Sequence, residues 1–236
     1  YNSINLNYIT RLIILLLFDL VQIPIDNQLK YTNKFSFNLK ASSIVVLETR
    51  SLHVSHKIAD LSSLNFFQYS GKIKLFDKDI KFLRHNEREN YKNKISIGGG
   101  KNILFHNMSI VNNIVLPLRI KSISEKALNM RFEELILWLN LKNIIYKEVR
   151  NLNEDEIHLL QIIRGIITNP KLLILINPFS INSNYNQTIL KLINGLISYK
   201  TSILILDNFD YNYQGILKKA EIIKLYSSVY QKFFTI

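Results

Sequence analysis

Short apolar runs alternate along the chain with longer stretches in which apolar residues recur every three or four positions. Residues 44–47 (IVVL), 172–176 (LLILI) and 202–206 (SILIL) are almost unbroken in hydrophobicity and rich in β-branched side chains. Runs of this length with no polar face predict buried strands of a parallel sheet covered on both sides. Residues 72–76 and 220–225 predict further strands. The helical period predicts helices over 57–67, 124–139, 154–167 and 185–198. In 124–139, for example, Ala127, Leu128, Met130, Phe132, Leu135, Ile136 and Leu139 recur at helical spacing. Asn169-Pro170 stops the third of these helices. The run 12–20 (LIILLLFDL) contains Asp19 and is far below the ~20 residues a spanning helix needs, so it reads as a buried strand and not an anchor. No cleavage site of the A-x-A kind follows it, and no secretory signal is read. Alternation of strand and helix argues for an α/β fold. The expected organisation is one domain over 1–236, with a helix-rich subdomain over roughly 100–160.

Composition supports a packed core, with 47% hydrophobic and 20% charged residues in 236. The chain has no cysteine, which excludes disulfides and thiolate metal sites. Its five histidines form no H-x-x-x-H pair beside an acid, so no metal centre is expected. The formal net charge is +12. An acidic partner explains such a charge: RNA, anionic headgroups or an acidic protein face. The bias of an AT-rich organelle or endosymbiont genome toward Asn, Ile, Lys and Tyr explains it equally well. Between Lys72 and Lys94 a basic stretch interleaved with Phe76, Phe82 and Tyr91 suits RNA, but Asp77, Asp79, Glu87 and Glu89 dilute it.

Three segments carry a more specific signal. Ser70-Gly71-Lys72-Ile73 follows the first helix. Val111-Asn112-Asn113-Ile114-Val115-Leu116-Pro117-Leu118 lies in the middle of the chain. Arg164-Gly165-Ile166-Ile167-Thr168-Asn169-Pro170-Lys171-Leu172-Leu173 leads into a strand. Their order and spacing resemble the ATP-binding-cassette (ABC) ATPase domain, over residues 12–228. The resemblance is to the small cassettes of lipoprotein release, cell division and lipid transport. It implies a P-loop NTPase-like fold, a mixed sheet flanked by helices with a helical subdomain.

The resemblance also shows where the chain departs from the family. The phosphate loop corresponds to Glu48-Thr49-Arg50-Ser51-Leu52-His53-Val54-Ser55-His56, which has no glycine; Val54 stands for the lysine and Glu48 for the first glycine. Glycines let backbone N–H groups wrap the phosphates and the lysine reaches their oxygens, so neither function is provided here. Arg50, His53 and His56 leave open the binding of another anion. Ile176 and Asn177 stand for the Mg²⁺-binding aspartate and the catalytic glutamate. Leu152-Asn153-Glu154-Asp155-Glu156 stands for the signature motif; Asn153 and Glu156 form a capping box while Glu154 and Asp155 oppose a phosphate. Ser183 stands for the D-loop aspartate and Asn208 for the switch histidine, and Asp207 reads as a turn or cap residue. Gly98-Gly99-Gly100-Lys101, near the Q-loop position, is not followed by Ser or Thr and reads as a flexible connector.

Phosphoryl transfer needs the lysine, the metal ligand and the water-positioning group together. The expectation is therefore a catalytically inactive cassette without nucleotide, metal or other cofactor, acting as a structural or docking subunit. The resemblance implies partners: a membrane-protein subunit or other members of a multiprotein complex, and a homo- or heterodimer with another cassette that it regulates. The implied location is the inner face of a membrane, in an organelle matrix or a bacterial or endosymbiont cytoplasm. The alternative is a basic protein bound to RNA or a ribosome. In the family the segment after the Q-loop receives a helix from the membrane partner. Its counterparts are Lys101, Phe105, Met108, Ile110, Val111, Ile114 and Arg119, whose apolar members are otherwise simple core.

Overall fold

The computed structural model describes residues 14–24, 31–49, 51–66, 68–100, 104–179, 183–207, 213, 217 and 220–225. The strands are β1 (Ile14–Gln22), β2 (Phe35–Lys40), β3 (Ile44–Glu48), β4 (Ser70–Leu75), β5 (Lys78–Asp79), β6 (Ile95–Gly99), β7 (Leu172–Ile176), β8 (Ser202–Asp207) and β9 (Ala220–Lys224). The helices are α1 (Leu52–Ser62), α2 (His85–Lys92), α3 (Ile110–Ile120), α4 (Glu125–Leu139), α5 (Lys142–Ile145), α6 (Glu154–Ile166) and α7 (Asn186–Ser198).

Two sheets result. The first is antiparallel, in the order β2-β1-β4-β5; the second is parallel throughout, in the order β6-β7-β8-β3-β9. The expected mixture of strand directions is present, divided between the two sheets. The three apolar runs sit side by side as β7, β8 and β3, in parallel register. Their alternating side chains feed two cores. Ile44, Val46, Leu173, Leu175, Ile203 and Ile205 face a cluster built with α3, α4, α6 and α7. Val45, Leu47, Leu172, Ile174, Leu204 and Leu206 face α1 and the antiparallel sheet. Period-two burial on both faces explains why these strands carry no polar side.

Several boundaries differ from expectation. α1 begins at Leu52 rather than near 57, because the Ser51 hydroxyl caps it by accepting from the Val54 N–H at 3.4 Å. It ends at Ser62, where the chain turns and the N–H groups of Asn65 and Phe66 both reach the Asp60 carbonyl. The run 12–20 becomes β1; its residues 12 and 13 lie outside the described residues. The strands β2 and β6 and the helix α2 are additions that the apolar pattern does not single out. α3 carries Pro117 inside it, a residue that weakens any helical reading. Between residues 110 and 166 the described elements are helical: α3 to α6 and one short 3₁₀ turn at Val149–Asn151. No helix among the described residues is long and apolar enough to cross a membrane.

Candidate functional site

Open parallel sheets collect ligands beyond the C-terminal ends of their strands. Here β3, β8 and β9 end in register at Glu48, Asp207 and Lys224, with Ile176 closing β7. Glu48 and Asp207 are only 6% and 5% exposed. Lys224 Nζ lies 3.5 Å from Glu48 Oε2, so part of this negative charge is answered from the neighbouring strand. Backbone bonds continue past the strands: Thr49 donates to the Asp207 carbonyl and Asn177 to that of Leu206, both at 2.9 Å.

The turn from β3 into α1 is closed by its own side chains. Thr49 Oγ1 and Ser55 Oγ share a hydrogen bond of 2.5 Å, and Ser55 is fully buried. Val54 belongs to the core beneath the antiparallel sheet. Arg50 lies outside the described residues. His53, His56, Lys57 and Asp60 of α1 line a cavity of about 380 Å³ that reaches Gly99 and Ile176. Burial raises the Asp60 carboxyl above its ordinary range, and the nearby His56 opposes that rise.

The residues 98–100 are not a flexible connector. Gly98 and Gly99 form the end of β6, paired with Leu175 and Ile176, and both are buried. The glycines are required by close packing. A Cβ on Gly99 (φ +77°) would stand 2.6 Å from the Ile176 carbonyl oxygen, and one on Gly100 (φ +68°) 2.9 Å from the His56 ring. Ile176 itself is core, and Asn177 adopts φ +45°, with its side-chain oxygen buried and without a hydrogen-bond partner among the described residues.

The capping box at α6 forms as the sequence predicts. Asn153 Oδ1 accepts from the Glu156 N–H at 2.9 Å, and Glu156 Oε2 accepts from the Asn153 N–H at 3.1 Å. Glu156 does more than cap. It is buried, pairs with Lys147 Nζ at 2.5 Å and accepts from Tyr185 OH at 3.4 Å, joining α6 to the end of α5 and the start of α7. Burial alone would raise its carboxyl; the Lys147 and Asn153 bonds win and hold it below the ordinary range. Ser183 caps the turn into α7 by accepting from the Tyr185 N–H at 3.2 Å. Asn208 lies outside the described residues.

The proposed docking set divides. Phe105 is 46% exposed, Met108 and Val111 are half-buried, and Arg119 is exposed, where it pairs with Glu125 at 3.0 Å and donates to Asn112 Oδ1 at 2.9 Å. Ile110 and Ile114 are corrected to core: at 1% and 0% exposure they lie on the buried face of α3 and offer no surface. Lys101 lies outside the described residues. Sequence reading missed Asn113. Its buried amide oxygen accepts from the Phe105 N–H at 2.7 Å, and its two N–H bonds are shared among the carbonyls of Phe105, Met108 and Ser109 at 3.0, 3.3 and 3.1 Å. One side chain thus fixes the whole loop that presents Phe105. The sequence signal is the second of two adjacent asparagines, Asn112-Asn113, that interrupt an apolar run.

Part of the basic stretch is engaged internally. Lys78 pairs with Glu87 and Lys92 with Glu89, while Lys81 lies over the Tyr69 ring and Lys94 over Phe76 and Tyr91. The RNA reading gains no support from this arrangement.

No protein-family model matches the chain. The fold is nonetheless that of an ATP-binding cassette. It superposes on the dimeric ATP-binding cassette MJ0796 bound to ADP and phosphate with a TM-score of 0.73 at 17% identity, covering 89% of this chain and 94% of that one. An ATP-binding subunit of an ABC transporter gives a TM-score of 0.72 at 14% identity, with coverages of 90% and 86%. In sequence the chain is 29% identical over 111 residues to the spermidine/putrescine import ATP-binding protein PotA of Fusobacterium nucleatum. It is 27% identical over 111 residues to the molybdate/tungstate import ATP-binding protein WtpC of Methanocaldococcus jannaschii. Each match spans 47% of this chain, but only 28% and 36% of those relatives' own lengths. The chain thus has the cassette fold and is homologous to ABC ATP-binding subunits over about half its length.

Proposed function

We propose that this chain is a cassette-fold subunit that does not hydrolyse ATP and serves as a structural docking component of a larger, membrane-associated complex. The carrying observation is the make-up of the strand ends where a phosphate would sit: buried Glu48 and Asp207, with Val54 turned into the core. Lys224 answers part of the charge of Glu48, but no lysine projects from the first turn of α1 toward phosphate oxygens, which the buried carboxylates repel. Glu154 and Asp155 repeat the same opposition at the start of α6. A fold retained without that chemistry is useful through its surfaces. The loop bearing Phe105 and Met108, with Val111 and Arg119 beside it, receives a helix of a membrane subunit. The complex sits at the inner face of a membrane, in an organelle matrix or a bacterial or endosymbiont cytoplasm, where the chain pairs with another cassette.

The test is nucleotide. Millimolar Mg-ATP is expected to leave the melting temperature unchanged and to yield no phosphate release. Saturable stabilisation by ATP would overturn the reading.

A further inference from the structure

A second surface lies at the opposite end of the parallel strands, between α4, the C-terminal end of α6, and α7. It is a groove of about 600 Å³ with an apolar lining of Leu135, Trp138, Ile166, Ile167, Leu196 and Tyr199. Trp138 and Tyr199 are 37% and 76% exposed. The Trp138 ring is held in place. It lies directly over Gly195, where a Cβ would come within 2.6 Å of the ring, and Lys191 Nζ both donates to the Trp138 carbonyl at 2.6 Å and stands 5.6 Å from the ring centre.

The surround is cationic. Arg131 and one acid, Glu134, line the groove, and the exposed Glu133 adjoins Glu134 on α4. Lys191 flanks Trp138, Lys200 follows Tyr199, and Lys171 lies two residues beyond Asn169; all three are exposed.

We infer that this groove docks an acidic amphipathic helix of a partner protein. An apolar, concave seat with basic edges matches the apolar stripe and flanking carboxylates of such a helix. A second copy of this chain, itself at +12, would bring like charge against the edges.

Trp138 is the only tryptophan of the chain, so its emission reads the groove alone. The full chain is titrated with a tryptophan-free helical peptide of about 15 residues, leucines on one face and glutamates beside them, and with its lysine counterpart. A saturable blue shift with a micromolar midpoint is expected for the glutamate peptide and none for the lysine peptide. Replacing Arg131→Glu together with Lys200→Glu is expected to weaken binding at least about tenfold with an unchanged thermal melt. No saturable shift, an equal shift with the lysine peptide, or binding that survives the charge reversal overturns the inference. A shift given by anionic phospholipid vesicles but not by the glutamate peptide also overturns it, in favour of a lipid surface.

Discussion

Glu156 concentrates three interactions in one buried carboxylate: the Lys147 ion pair, the Asn153 N–H and the Tyr185 hydroxyl. A neutral amide keeps the shape and part of the hydrogen bonding but leaves Lys147 without its counter-charge. Glu156→Gln is expected to cost about 1–2 kcal/mol at neutral pH, less than for a fully buried pair because Lys147 is 41% exposed. The folded carboxyl titrates below its ordinary value of 4.5, so its stabilisation is complete above that value and is lost as pH falls through the lower, folded pKa. Chemical denaturation of both proteins across pH 3 to 7 (bounds roughly those of carboxylate titration) should show a constant gap above about pH 5 that closes on the acid side. A gap independent of pH would show that shape, not charge, is what Glu156 supplies. The same residue marks a limit of reading from sequence. The capping box is a local signal and was legible; the bonds to Lys147 and Tyr185 join separate elements and have no local signature.

Among the elements, legibility followed burial. β3, β7 and β8 were found because both their faces are apolar, and four helices because one face is. Helix α2 buries no residue and has no such pattern to read. β6 was hidden because its last two residues are glycines, which read as flexibility until the packing of Ile162, Leu175, His158 and Ile176 around them is seen. α3 was legible only through its resemblance to a family segment, since Pro117 and the paired asparagines interrupt its period. Asn113, at the second of those asparagines, joins the loop 105–109 to the first turns of α3. Removing its amide in Asn113→Ala strips one acceptor and the donors to three carbonyls. The expected cost is about 2–3 kcal/mol, and hydrogen exchange should quicken locally at Phe105 and Met108 before the global melt. Unchanged exchange in 105–109 would mean that the loop holds its shape without the clamp.

At the scale of the whole molecule, the proposed role rests on a surface that is rigid yet unnecessary to the fold. Phe105 is nearly half exposed and Met108 half-buried, while Leu104, Ile110 and Ile114 around them belong to the core. Truncating the first two removes surface and leaves both hydrophobic clusters intact, so the thermal melt of Phe105→Ala with Met108→Ala should move by little. Truncating an interface anchor costs ~1–4 kcal/mol of binding, a tenfold to several-hundredfold loss that co-purification detects. The double variant is therefore expected to remain folded and to leave its complex when purified in mild detergent. A collapsed melt would return both residues to the core, and a variant that stays assembled would remove the docking role from this loop. The single variant Ile114→Ala gives the contrasting pattern. Its side chain is fully buried, so it is expected to lose about 2–5 kcal/mol of stability through the cavity it leaves. Any loss of assembly in that variant should track its unfolding, whereas in the double variant it should occur at temperatures where the chain is still native.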